Sequence, residues 1–414
     1  MRGEKVRYIM TMIAMCGLVG SSVGICSGTA GLFYTAISED LGISKATISL
    51  TYTISALASA FSGLAIPRVL RRESNLKPLI FAGVLLSCGG TALLSAASGI
   101  WMLYILSAVR GIGAGLLSFV LATTVINQWF LAKNGLMVSI AMAFSGLPNV
   151  LLANLFARII ETAGWRFGYL FVTGVMVLFS LPALLYPVCL RPAQCSMEPY
   201  GYKEYLKFRE EHPEAAVVTQ GNDHIGMTSP QMIGLFFFSM IVCIIASMLQ
   251  HLSSFAVSLG MTAAVGALMT STASAANIVS KLIYGVMTDR VGPYKSSLFC
   301  AAVNVAAVVI LITVHTPAAM VIASFMFGFT FANSSTAMSM LTKDLYGMEN
   351  YTRVYPLISF SGSAANAVGV TLIGMLYDAS GSYYAVFIVC LIMQVLVLMD
   401  VFSLMRIGKK EKTA

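Results

Sequence analysis

The chain has 414 residues, of which 58% are hydrophobic and only 10% charged, with a mean hydropathy of +0.84. A soluble domain carries about 25% charged residues, so a polypeptide this long and this poor in charge lacks a water-compatible surface, and its solvent over most of its area is lipid. The net charge of +8 is scattered through short loops, which excludes a nucleic-acid stripe, and the absence of HExxH and Walker sequences argues against a zinc protease or a self-contained ATP-driven pump, so no enzyme is expected.

Taken in chain order, Arg2, Lys5 and Arg7 precede an apolar run that continues to about Ser38. That is too long for the core of a signal peptide and reads as a retained first membrane helix. Apolar periods then predict spanning helices over 8–37, 45–66, 78–98, 101–127, 136–159 and 167–189. After a long polar stretch at 190–230, six more follow over 231–257, 264–287, 296–314, 317–341, 354–377 and 382–405. The predicted fold is an all-α membrane protein of twelve transmembrane helices in two six-helix bundles, 1–190 and 231–414, joined by a central loop at 191–230. A short amphipathic surface helix is predicted around 201–212.

Charge placement orients the chain. With the N-terminus inside, twenty of the 25 Lys and Arg residues fall on inner segments. These include Arg68, Arg71, Arg72 and Lys77 after helix two, Arg290 and Lys295 after helix eight, and Lys343 and Arg353 after helix ten. The outer loops hold only Lys45, Arg158 and Arg166. This asymmetry is the positive-inside rule and predicts two cytoplasmic termini in a cell membrane. The eight cysteines lie mostly in apolar runs without CxxC or metal spacing, so packing residues are expected rather than a disulfide or zinc framework.

Two charges fall within helices. Arg110 lies about nine residues into helix four, roughly 14 Å deep, and Lys281 lies in helix eight. A cation at that depth costs at least about 2.5–3.5 kcal/mol, so it usually faces a wet cavity. No acid sits at matching depth: Asp289, Asp378 and Glu161 are at helix ends and Asp400 is near the inner end of helix twelve. An electropositive cavity favours an anion, and a carboxylate suits arginine. Two readings fit each cation: Arg110 binds the anion or couples conformations, and Lys281 binds it or snorkels to the interface. Tyr34, Asn149 and His251 are further candidate donors. Gly111-Ile-Gly113-Ala-Gly115 lacks a preceding strand and reads as close helix packing rather than a dinucleotide loop.

The loop after helix eight reads Gly285-Val-Met-Thr-Asp289-Arg290-Val-Gly292-Pro-Tyr-Lys295. This resembles the G-x-x-x-D-R-x-G-x-x-[KR] signature of the major facilitator superfamily. Asp289 is placed to cap a helix N-terminus, Gly285 to let two helices approach and Gly292 to turn the chain. In the first half Arg68 is kept, but Pro67 replaces the acid and Leu70 the second glycine, so a weaker latch is expected there. Asn127-Gln-Trp129-Phe130, Gly164-Trp165-Arg166, Tyr346-Gly347 and Tyr377-Asp378 resemble segments of the monocarboxylate porter and oxalate:formate antiporter group.

The resemblance implies alternating-access transport of a small organic anion of the monocarboxylate class, with Lys281 in the place of that group's substrate-binding helix-eight arginine. Asn277 stands where the animal porters carry an acid linked to proton coupling, and the group's helix-one lysine and helix-eleven lysine are missing. The implied partners are the anion, a coupling proton or counter-anion, and the bilayer; the implied working unit is a monomer, with no cofactor and no metal. Competing readings are a carrier for a drug, a sugar or exchanged dicarboxylates, and a membrane sensor without flux. A cation carrier needs a membrane acid, and a sugar site needs several Asn, Gln and Trp side chains, which are few here.

Overall fold

The computed structural model describes residues 2–72, 75–204, 206 and 229–413. Its helices are α1 (Arg2–Val19), a π-helical segment (Gly20–Ser27), α2 (Ala30–Leu41), α3 (Lys45–Gly63), α4 (Ile66–Arg72), α5 (Lys77–Leu94), α6 (Ile100–Leu116), α7 (Phe119–Trp129), α8 (Asn134–Ala143) and α9 (Leu147–Leu185). The chain continues through α10 (Pro230–Ser247), α11 (Leu252–Ser258), α12 (Ala263–Val291), α13 (Pro293–Thr313), α14 (Pro317–Phe327), a second π-helical segment (Ala332–Ala337), α15 (Met338–Ser380) and α16 (Tyr383–Thr413). Among the described residues nine stretches are long and apolar enough to cross a bilayer. Two of them, Asn134–Leu185 and Pro317–Ser380, hold two passes each, folded at Gly164 and Gly347. With α12 the passes number twelve, as the sequence predicts. Large apolar side chains such as Phe81, Trp101, Leu151, Leu185, Met375 and Met399 are exposed, which suits a lipid-facing surface and no aqueous one.

The chain packs into two compact units: residues Met1–Ala132 with Phe144–Tyr202, and Lys133–Ala143 with Lys203–Ala414. In the first unit α6 lies against both α3 and α5, because its glycines bring backbones together. A Cβ on Gly111 would stand 2.3 Å from Ser55 O, one on Gly113 2.3 Å from Ser87 N, and one on Gly115 2.2 Å from Ser59 O. The alternate glycines therefore serve helix packing, the role read from the sequence. In the second unit α10 packs on α15 and α16, and α12 on α8, α14 and α13. Helix starts are marked locally: Ser44, Ser229 and Thr316 each accept the N–H three residues on, and prolines occupy the first turn of α5, α10, α13 and α14.

Two expectations need correction, and a third lies mostly outside the described residues. The apolar periods predict helices one, four, five, seven and ten as unbroken, yet each is interrupted: at Gly20–Thr29, Leu117–Ser118, Phe144–Gly146, Met248–His251 and Gly328–Ala337. Hydrophobicity reports depth in the membrane and is blind to a slipped hydrogen-bond register. The packing role assigned to all eight cysteines fails at Cys189 and Cys195, which form a disulfide, while the other six are free and buried. Their six-residue separation carried no recognisable spacing signal. The surface helix expected around 201–212 falls, beyond Tyr202–Glu204 and Leu206, outside the described residues.

Candidate functional site

In the first unit the predicted residues gather where helix one breaks. Its backbone leaves the α-helical register at Gly20, runs as a π-helix to Ser27 and restarts at Ala30. Such a break leaves carbonyls without intrahelical partners, and in a membrane each must be satisfied from elsewhere. Arg110 does this: its Nη2 donates to Cys26 O at 2.7 Å, and its Nε to Ser55 Oγ at 3.5 Å. The Arg110 side chain is 4% exposed. Asn149 covers the same break from α9, for a Cβ on Gly28 would fall 1.9 Å from its Nδ2. The phenols of Tyr34, Tyr52 and Tyr169 lie within electrostatic range of the Arg110 guanidinium.

The guanidinium has five N–H donors, and both of the acceptors just named are neutral. Among the described residues no carboxylate lies within ion-pairing distance of Arg110; an ion pair elsewhere in this unit joins Arg166 to Asp40 at 2.5 Å. Asp40, in the last turn of α2, also accepts from Trp165 Nε1 at 3.0 Å, while Phe33 stacks on Tyr169 with ring centroids 3.9 Å apart. These contacts tie the restarted part of helix one to helix six and hold Tyr34 and Tyr169 on the two elements beside Arg110.

In the second unit α12 grips α8 at both ends. Asp289 accepts from Gly135 N at 2.7 Å through Oδ1 and from Leu136 N at 2.9 Å through Oδ2. Eight residues earlier, Lys281 is 2% exposed, and its Nζ donates to Met142 O at 3.1 Å. A carboxylate at the N-terminus and an ammonium at the C-terminus are the charges that a helix dipole favours. Between them Gly285 faces α8, and a Cβ there would stand 2.4 Å from Ser139 Oγ. Lys343 adds a third hold by donating from Nζ to Asn134 Oδ1 at 2.7 Å. Gly292 ends α12 at φ +86°, a conformation that favours glycine, and α13 begins at the next residue. Arg290, in the same motif, and Arg68, in the first unit, are exposed.

Asn277 stands one helical turn from Lys281 on α12, and its buried Oδ1 has no hydrogen-bond partner among the described residues. His251 is held apart from this pair: its Nε2 is 3.3 Å from Val370 O and its ring is 6.3 Å from that of Tyr383. The sequence reading missed Ser55, Tyr52, Tyr169, Asn134 and the buried role of Lys343. Of these only Asn134 stands in a segment with a family resemblance, Lys133-Asn-Gly135, and there its neighbours carry the signal; Lys343 reads from the sequence as an inner-side loop cation.

Comparison with known proteins places the chain. The family model of the Major Facilitator Superfamily matches residues 16–217 and 231–413. The chain belongs to this superfamily, whose fold is the twelve-helix arrangement described above. Its relatives narrow the resemblance. It is 24% identical to monocarboxylate transporter 12 of Mus musculus over 341 residues, covering 78% of this chain and 70% of that one. It is 32% identical to monocarboxylate transporter 11 of Homo sapiens over 145 residues, 34% of this chain and 30% of the other. Among solved structures, the proton:xylose symporter XylE superposes with a TM-score of 0.76 at 15% identity, covering 97% of this chain and 96% of XylE. FucP in its outward conformation gives 0.71 at 11% identity, covering 96% and 99%. The chain is thus a multi-pass membrane transporter related to the monocarboxylate transporters.

Proposed function

We propose that the protein is a secondary transporter that moves a small monocarboxylate across a cell membrane by alternating access. The observation that carries this reading is Arg110, buried in the first unit with only neutral hydrogen-bond acceptors among the described residues. Desolvating a guanidinium against a carbonyl and a hydroxyl recovers little of its hydration energy, whereas a bidentate carboxylate recovers much more. A carboxylate-bearing guest therefore gains its affinity from a cation already held in place by Cys26 and Ser55. Tyr34 and Asn149, beside the same break in helix one, supply further donors.

Lys281 enters the reading as a second anion-binding group in competition with Met142 O. When the ammonium turns to a substrate carboxylate, the C-terminal hold on α8 is released while Asp289 keeps the N-terminal one. Substrate arrival thereby weakens one of two clamps on a helix, a means of linking binding to movement. The moving bundles in this scheme are residues 1–190 and 231–414, connected by 191–230, with both termini in the cytoplasm. His251 and Asn277 are assigned secondary roles in the same scheme. The similarity to monocarboxylate transporters supports the substrate class.

The test is uptake of labelled lactate, pyruvate and formate by proteoliposomes. Saturable uptake of one of them, competed by other monocarboxylates and lost in Arg110→Gln, is the expected result. Uptake of none, with thermal stabilisation by a sugar or a cation instead, overturns the proposal.

A further inference from the structure

A strap of chain after helix six closes the end of the first unit that carries Arg7. It is fastened to three helices by backbone groups of its own. Cys189 O accepts from Trp129 Nε1 at 2.9 Å, and Cys189 forms a bridge with Asn75, which precedes α5. Cys195 O accepts from Arg7 Nη1 at 3.1 Å, and Glu198 O from Tyr8 Oη at 2.5 Å. Tyr200 N donates to Trp129 O at 2.8 Å, and Tyr200 O accepts from Leu131 N at 2.9 Å and Ala132 N at 3.1 Å. The Tyr8 ring meets Trp129, Phe130 and Tyr200 edge-on or tilted, at centroid distances of 5.6–6.1 Å. The strap thus terminates on Ala132, the last residue before the segment Lys133–Ala143 that packs with the second unit.

The strap is shaped by one covalent bond. Cys189 and Cys195 are joined, and between them the chain makes a short 3-10 turn, Pro192–Cys195, followed by Ser196 at φ +55°. The two cysteine carbonyls are the groups that receive Trp129 and Arg7, so the disulfide sets the distance between two of the fastening points. These cysteines are also the half-buried ones, whereas the six free cysteines are buried. The positive-inside distribution puts this end of the chain in the cytoplasm, where a disulfide in a mesophile is usually a transient redox sensor or a catalytic pair.

We propose that Cys189 and Cys195 are a reversible redox-modification site, and that their disulfide tightens the strap across the inner ends of helices one, three and four. Reduction by a dithiol breaks the S–S bond; two electrons and two protons pass to the cysteines and the reductant becomes its own disulfide. Peroxide reverses this. One cysteine thiol is oxidised to the sulfenic acid with release of water, and the other thiol displaces a second water as the S–S bond reforms. The oxidised strap holds Leu131 and Ala132 on Tyr200; the reduced strap lets them exchange with solvent.

The experiment uses the full-length protein purified in detergent, oxidised with hydrogen peroxide or reduced with dithiothreitol. Native maleimide labelling read by mass spectrometry is expected to mark Cys189 and Cys195 only after reduction. Hydrogen exchange at Leu131 and Ala132 is expected to accelerate about tenfold on reduction and to return on reoxidation. The double variant Cys189→Ser/Cys195→Ser is expected to exchange like the reduced protein in both conditions. Labelling of both cysteines after peroxide treatment overturns the proposal, as does exchange at Leu131 and Ala132 that ignores reduction. The reduction arm needs only the unaltered protein, so a variant that fails to fold leaves it decisive, and neither readout depends on the transported substrate.

Discussion

Arg110 and Lys281 solve the same problem in different ways. Each is a buried cation, and each donates to a carbonyl at the end of an interrupted helix: Cys26 O at the close of a π-helical segment, Met142 O at the end of α8. A helix end carries partial negative charge and orphan carbonyls, so a cation is stabilised there even in a membrane. Their side chains differ in what they leave over. The guanidinium is a rigid fork whose two bonds to neutral acceptors leave further donors, while the ammonium is a point charge on a flexible stem. Arg110 is suited to hold a guest without letting go of the protein. Lys281 is suited to exchange one partner for another.

That contrast can be broken by substitution, and the largest effect is expected at Arg110. Arg110→Gln should lose about 3 kcal/mol of substrate binding, about a hundredfold in affinity, and Arg110→Lys should not restore it because the fork is gone. Saturation binding to the purified protein measures both. Recovery by lysine would place the two cations in one class.

Next in size is the Asp289 clamp. Asp289→Ala strands two N–H groups of α8 and should cost about 1–3 kcal/mol in thermal stability, whereas Asp289→Asn keeps an acceptor and should cost less. Equal melting temperatures for the two variants would show that capping by this side chain is dispensable.

Gly285→Ala should cost a comparable or smaller amount, about 1–3 kcal/mol, because the new methyl meets Ser139. Relief by a paired Ser139→Gly in a double-mutant cycle would confirm the contact as the cause, and independent effects would refute it. The smallest effect is expected at the exposed Asp40–Arg166 pair, where Asp40→Asn should leave the melting temperature within experimental scatter.

The fold was legible because membrane insertion writes its demands into composition. Twelve apolar periods, loop cations on one side, and a charged loop after helix eight with Asp289 and Gly292 in register are all one-dimensional signals. Gly285 could be read as a close-approach position for the same reason, since small residues in apolar helices have few other uses. The site was legible only in outline. Arg110 and Lys281 stood out because a charge in a spanning segment is expensive, and Asn149 because it is polar there. Ser55 and Tyr169 carried no such mark. Cys189 and Cys195 lacked a diagnostic spacing, and their pairing depends on a turn that the periodicity of the helices does not describe.

By itself the sequence determined which segments lie in lipid, how many there are and which rare charges must be explained. Those answers follow from transfer free energies, which depend on each residue's chemistry and its depth. Only the tertiary structure decided that helices one, five and ten are broken, that α8 packs with the second unit, and which carbonyls the two cations meet. Lys281 and Met142 are 139 positions apart in the chain, and Arg110 and Cys26 are 84 apart. Where a helix slips its hydrogen-bond register depends on the side chain that arrives from a distant helix to take up the freed carbonyl, and no local pattern records that arrival.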